Sequence, residues 1–409
     1  MGYIDNLLRG RKVEWKTLGE VFDIRNGYTP SKKNKDYWTD GTIPWFRMED
    51  LRLNGGILDD ALQHITPQAI RGKGLFKANS IIMATTATIG EHALLIADSL
   101  ANQRFTNFSI RKSLSDTLLP KFVYYYFFVL DEWCKQNVKI GNFPSVEVDR
   151  LKKQPFPLPP LDVQVEIARI LDRFTALEAE LEAELEARQK QYEYYRDRLL
   201  TFDKTRTDVE WKALREVARL YGGLNGKRKQ DFQNGNAQFI TYKNVYDHIE
   251  VNPKELALVR VDENERQNTV RYGDVLITGS SETMEDVGMA SAVTTHYERP
   301  IYLNSFSFGI RFFEGIPLTP EFAKYLFRSP MLRRQIVKTA SGVTRFNISK
   351  SRFNLIHIPL PPLAEQERIV RILDKFSTLT TSLTAGLPRE IALRRRQYEY
   401  YREQLLSFE

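Results

Sequence analysis

The residues of this chain best suited to chemistry are cations, hydroxyls and amides gathered in glycine-containing loops. Thr29, Ser31, Lys32, Lys33 and Lys35 follow Gly27, and Lys227, Arg228 and Lys229 follow Gly222, Gly223 and Gly226. Such loops suit phosphodiester oxygens, which accept hydrogen bonds and attract positive charge. Trp45, Arg47 and Glu49 align internally with Tyr242, Lys243 and Asn244. An arginine or lysine there can reach guanine, and an asparagine adenine. Thr85-Thr86-Ala87-Thr88 aligns with Thr278-Gly279-Ser280-Ser281, two hydroxyl-rich loops that each follow an apolar run. Arg104 stands opposite Asn304-Ser305-Phe306, and Lys139, Asn142, Arg345, Asn347 and Lys350 lie in later loops. Each of these also has a plainer reading, as a solvated turn, a strand end or a cap.

Patterns of self-contained catalysis are missing. The sequence has no G-x-x-x-x-G-K-[ST] phosphate loop and no G-x-G-x-x-G run. Its five histidines are scattered, without H-E-x-x-H or metal-ligand spacing. The single cysteine, Cys134, can form neither a thiolate zinc site nor an internal disulfide. It sits in an aromatic run and is expected in the core. Two Leu-Pro-Pro-Leu stretches lack the polar first and aromatic last residues of an amino-methyltransferase loop. A binding role without catalysis is the expectation.

Composition sharpens this. The chain has 409 residues, 42% of them hydrophobic, and a net charge of +7. Residues 162–202 carry ten acids against six bases, and residues 364–409 seven against eight, which leaves +10 on the remainder. The excess positive charge therefore lies in the loop-bearing parts, as a polyanion partner requires. No apolar run reaches the ~20 residues of a membrane span. The N-terminal segment also lacks a signal-peptide core. A cytoplasmic protein without membrane contact is expected.

The elements that must position these loops occur twice. Pro157-Leu158-Pro159-Pro160-Leu161 returns as Pro359-Leu360-Pro361-Pro362-Leu363, and Ile170-Leu171-Asp172-Arg173-Phe174 as Ile372-Leu373-Asp374-Lys375-Phe376. Gln191-Tyr192-Glu193-Tyr194-Tyr195-Arg196 returns as Gln397-Tyr398-Glu399-Tyr400-Tyr401-Arg402, and Glu14-Trp15-Lys16 as Glu210-Trp211-Lys212. After each proline stretch a narrow apolar stripe recurs at steps of three and four, from Ile167 through Phe174 and Tyr195 to Phe202, and from Ile369 through Leu383 to Phe408. This is the pattern of paired helices. The first should span 41 residues, about 60 Å at 1.5 Å per residue. Gly386-Leu387-Pro388 should break the second. Connectivity then requires the helices to run antiparallel, with Tyr3, Leu7 and Leu8 completing the seam. The tyrosine pairs 192/195 and 398/401 are expected to pack in that seam. Strands are expected at 42–46, 80–85, 238–242 and 274–278.

The chain thus divides into 1–156, 157–208, 209–358 and 359–409. Its fold class is α+β: two α/β domains separated by a long antiparallel two-helix coiled coil, a pseudo-two-fold tandem duplication. A scaffold whose end domains bind proteins is the alternative that composition leaves open.

At its paired anchors, and at Gly27-Tyr28-Thr29-Pro30-Ser31-Lys32, the sequence resembles the specificity subunit of type I restriction–modification systems. The resemblance covers essentially the whole chain. The tandem Glu-Ala-Glu-Leu units at 178–185 resemble the tetrapeptide repeats of the IC subclass, with Glu178 and Glu182 where that pattern has threonine. The resemblance implies two target-recognition domains that each read half of a split, asymmetric site on double-stranded DNA. It implies two adenine-N6 methyltransferase subunits and motor-nuclease subunits as partners. S-adenosylmethionine, ATP and Mg are then expected in those partners, with no cofactor or metal in this chain. By analogy with the subclass, two repeats imply a gap of roughly six unread base pairs. An added tetrapeptide would lengthen the arm by about 6 Å.

Overall fold

A computed structural model describes residues 3–139, 144–382 and 385–408. Asn142 and Leu383 lie outside the described residues. The chain forms two compact units, one of residues 1–182 with 391–409, the other of residues 183–390. The long helix Leu161–Leu199 contributes to both. At 39 residues it is slightly shorter than expected, because Leu200 and Phe202 leave the helix for the second unit's core.

In the first unit, β1 (Glu14–Thr17), β2 (Phe22–Asn26), β3 (Ile57–Leu58), β4 (Ser80–Ala84), β5 (His92–Leu95), β6 (Phe105–Ile110) and β7 (Pro155–Leu158) carry the frame. The main sheet runs in the order β2-β6-β4-β5-β3, antiparallel except at β3 and β5. The strands β4 and β5 are buried throughout, as their apolar runs require. A helix, Pro120–Gln136, covers the sheet with Phe122, Phe127, Leu130 and Cys134 inward. Proline at its start costs nothing, since the first helical amide has no partner anyway. Burial pushes the Cys134 thiol up to about 12, which suits an inert core residue.

The repeated motifs fasten this domain to the long helix. The strands β1 and β7 pair antiparallel with Trp15 opposite Pro157, delivering the prolines to the helix start. Gln164 is fully buried. Its Oε1 accepts from Leu119 N at 2.8 Å, and its Nε2 donates to the carbonyls of Thr117 and Pro159, each at 2.8 Å. Asp172 accepts from the Tyr125 hydroxyl at 2.6 Å and from Lys121 at 2.7 Å. Phe174 stacks on Tyr401 with centroids 5.3 Å apart, and Arg395 of the C-terminal helix (Leu387–Leu406) pairs with Glu178 and Glu182. Numbers rise along one helix as they fall along the other, so the two are antiparallel here. Tyr3 meets the edge of Tyr401 at 5.9 Å, and Ile4 is buried with Leu405 and Leu406. The N-terminal helix Tyr3–Leu8 thereby completes the seam.

The second unit repeats these devices on β8 (Glu210–Ala213), β9 (Ala218–Gly222), β10 (Val275–Thr278), β11 (Ala290–Ala292), β12 (Ser307–Phe312) and β13 (His357–Leu360). Its sheet order is β9-β12-β10-β11, and β8 pairs β13 with Trp211 opposite Pro359. Gln366 accepts from Thr319 N at 3.0 Å and donates to the carbonyls of Pro317 and Pro361. Asp374 accepts from Tyr325 at 2.6 Å, and Tyr195 stacks on Phe376 at 5.7 Å. The helix Leu363–Thr381 stops before the expected break and Leu387 starts another. Among the described residues no helix is long and apolar enough to cross a membrane.

Replacing Gln366 with leucine strands several polar groups that are only partly open to water. We expect about 2 kcal/mol less stability in the second unit, read as a lower urea midpoint. Gln164→Leu should do the same in the first.

Candidate nucleic-acid interface

In each unit the candidate residues gather at one end of the main sheet. In the first, the end of β2 lies opposite the start of β6 (Asn26 with Thr106), and the end of β4 opposite the same start (Ala84 with Phe105). Three loops therefore emerge together: 27–35 after β2, 85–88 after β4, and 102–104 before β6. Thr86 bridges Ser145, and Lys139 pairs with Ser145, which adds a fourth segment. In the second unit Gly222 lies opposite Phe308 and Thr278 opposite Ser307, while Ser280 and Ser341 both pair with Asn347. The same four segments converge.

The approach is close enough to need glycine. A Cβ on Gly27 would sit 2.3 Å from Ala101 O and 2.4 Å from Asn102 O. A Cβ on Gly223 would sit 1.9 Å from Asn304 O. These two glycines let each cation-bearing loop cross its neighbouring turn.

Within these edges the candidates divide. Ser31, Lys32, Lys33, Lys35, Arg104 and Lys139 are exposed in the first unit, as are Arg228, Lys229, Lys243, Arg345, Asn347 and Lys350 in the second. Thr29 donates to Gln103 Oε1 at 2.5 Å, tying the lysine loop to the turn. Half-buried Thr86 and Ser281 stay at the rim. Arg47 is half-buried beside Trp45, its Cζ 6.0 Å from the ring centroid. Lys350 lies 5.5 Å over the ring of Phe308.

Several candidates serve the scaffold instead. Trp45 is 2% exposed and donates Nε1–H to Tyr28 O. Thr85 is buried, its hydroxyl 2.8 Å from that of Thr106. Lys227 is pulled inward by an ion pair with Glu265, leaving its side chain 6% exposed. Asn244 is fully buried. Its Nδ2 donates to Asn252 O and its Oδ1 accepts from Asn252 N, so its amide is not turned toward a base. Ser280 is buried as well, accepting from Arg345 at its hydroxyl and from Tyr242 at its carbonyl.

The internal alignment shifts accordingly. Asn102 N bonds Phe46 O, just as Asn304 N bonds Ile240 O. Arg47 caps the helix Met48–Asn54 where Thr241 caps Tyr242–Asp247. Asn244 therefore corresponds to buried Asp50, not to Glu49, and Tyr242 opens a helix instead of closing a strand. Likewise Val146 N bonds Thr85 O where Ile348 N bonds Gly279 O, so Thr85 corresponds to Gly279, one residue later than the sequence suggests.

At the second edge the predicted Tyr242, Ser281 and Arg345 are joined by Tyr246 and Phe306, which sequence reasoning did not propose as contacts. Tyr242 and Tyr246 stack at 6.1 Å, and with Ser281, Phe306 and Arg345 they line an open cleft of about 610 Å³. A hydrogen bond to Asp286 holds the Tyr246 hydroxyl above its ordinary range. Phe306 is 59% exposed, with Arg345 5.9 Å from its ring centroid. Aromatic faces, hydroxyls and an exposed cation together can contact sugar, base and phosphate.

Comparison with known proteins places the same frame elsewhere. Residues 11–187 and 207–393 each match the family described as the type I restriction modification DNA specificity domain. The chain is 35% identical over 399 residues to the type I restriction enzyme EcoprrI specificity subunit of Escherichia coli, covering 94% of this chain and 92% of the relative. It shares its fold with a chain from a structure titled for complex assembly and conformational transition of the type I R-M system (TM-score 0.64, 17% identity, 97% of this chain and 98% of that one). It is similar in fold also to the HsdS subunit from Thermoanaerobacter tengcongensis (TM-score 0.58, 16% identity, 98% and 99%).

Proposed function

This chain belongs to the DNA specificity family of type I restriction–modification systems, and on that premise we propose that each of its two loop edges reads one half of a split, asymmetric DNA site. The observation that carries the reading is the pair of edges itself: one backbone arrangement built twice, presenting different side chains. Two unlike readers on one chain imply two unlike half-sites with unread base pairs between them. In this reading residues 1–156 and 209–358 are the readers, and 157–208 and 359–409 the spacer. The gap is roughly six base pairs, the estimate that the two tetrapeptide repeats support by analogy.

The chain acts as a recognition component and leaves chemistry to others. We propose that two methyltransferase subunits, using S-adenosylmethionine, dock on the spacer, and that motor-nuclease subunits bring ATP and Mg. The ten acids against six bases of residues 162–202 support a spacer held off the phosphates, since like charges repel. Mapping N6-methyladenine across the genome of the organism that carries the gene tests this. One bipartite motif with a fixed gap, vanishing on deletion of the gene, is expected. A continuous motif, or one that survives the deletion, would contradict it.

A further inference from the structure

Asn102-Gln103-Arg104 and Asn304-Ser305-Phe306 are the same turn. Arg104 N donates to Asn102 Oδ1 at 2.9 Å, and Phe306 N donates to Asn304 Oδ1 at 3.0 Å. Arg104 O accepts from Thr85 N at 3.0 Å, and Phe306 O accepts from Gly279 N at 2.8 Å. Gly27 and Gly223 pack against the two turns from the same side. Phe105 N also donates to Asn102 O as Ser307 N does to Asn304 O, and Tyr28 N to Ala101 O as Leu224 N does to Leu303 O. At the tip, the side chains share no chemistry.

The Arg104 side chain is exposed and makes no hydrogen bond or ion pair with the described residues. Capping of the turn is done by its backbone and by Asn102, so its guanidinium is left over. Phe306 carries a phenyl ring that is 59% exposed although the sheet core begins at Phe308 beside it. A position serving only phosphate contact would keep a cation in both units, because a phenyl ring offers phosphate nothing. A position that selects a base is expected to change chemistry while its backbone stays fixed.

We propose that Arg104 and Phe306 are equivalent specificity-determining positions: Arg104 selects a guanine in one half-site, and Phe306 selects a thymine in the other. This rests on the DNA-reading function proposed above. The planar guanidinium matches the N7 and O6 acceptors of guanine with two parallel bonds. A phenyl ring has no hydrogen-bonding group, and the one apolar feature of the major groove is the thymine methyl. The guanidinium carbon of Arg345 lies over this ring, 5.9 Å from its centroid.

Methylated-adenine mapping in the native host, with Arg104→Ala and Phe306→Ala alleles made separately, tests the assignment. Arg104→Ala should make one guanine of one half-site degenerate, with discrimination there falling about 10-fold or more. The other half-site and the gap should not change. Phe306→Ala should do the same to one thymine of the opposite half-site. Where an alanine variant abolishes all methylation, Arg104→Gln and Phe306→Gln decide. Glutamine pairs bidentately with adenine, so the affected base should move toward adenine. An unchanged motif, a uniform but incomplete loss over all sites, a relaxed base other than those named, or loss of all methylation in the Gln variants too would overturn the proposal. A wild-type strain without a bipartite motif would instead remove the reading beneath it.

Discussion

Reversing Lys32, Lys33, Arg228 and Lys229 to glutamate is expected to cost about 10³-fold in DNA affinity at 0.1 M salt. Each cation that neutralises a phosphate releases close to one counterion, so four lost contacts should also lower the slope of log K against log salt by roughly 3 to 4. All four side chains are exposed on the loops that cross the sheet ends, so reversal should spare the cores. Lys227 would be the wrong choice, since its charge is spent on Glu265. A titration of the assembled complex between low and moderate salt reads both quantities. An unchanged slope would favour a scaffold whose domains bind proteins.

Phe22→Ala is expected to destabilise the first unit by about 3–5 kcal/mol, the usual range for emptying a buried aromatic site. The ring is 1% exposed and meets Phe108, Phe127 and Phe156 edge-on, at 6.1, 5.8 and 5.3 Å. It joins β2 to β6, to the covering helix and to β7 at once. Because β2 leads into the lysine loop, loosening it should weaken the first edge before the unit unfolds. Chemical denaturation should show an early transition for this unit and an unchanged one for the other. Equal shifts in both would mean that the units unfold as one.

Ala218 occupies the corresponding place in the second unit, and the comparison shows what a sequence can and cannot reveal. Phe22 lies opposite Ile110 across its strand pair, and Ala218 lies opposite Phe312. The large residue has changed strands, yet Phe312 still meets Phe327 at 6.4 Å, as Phe22 meets Phe127. Position-by-position reading sees two unrelated segments. The packing sees one volume filled from either side.

What was legible is what the chain repeats nearly verbatim. The Leu-Pro-Pro-Leu lead-ins, the Ile-Leu-Asp turns and the tyrosine-rich helix ends announced the helices, their direction and their pairing. These motifs are fixed because each makes specific contacts: Gln164 and Gln366 at the lead-ins, Asp172 and Asp374 on tyrosine hydroxyls, Phe174 and Phe376 under a stacked ring. The loop edges were legible only in outline. Lysine loops after glycines stand out, but burial decides function among amides and hydroxyls, and burial comes from distant strands. Asn244 looked like a base reader and braces a turn; Phe306, singled out only as part of the segment opposite Arg104, stands in solvent.

Deleting Glu182–Leu185, one of the two tandem tetrapeptides, and sequencing the methylated motif tests most directly whether this chain spaces two readers along DNA. Four residues are close to one helical turn, so the apolar stripe keeps its face while the helix shortens by about 6 Å. The half-sites should stay the same and the gap between them should close by one or two base pairs, at roughly 3.4 Å each. Full methylation of the original motif with its gap unaltered would contradict it.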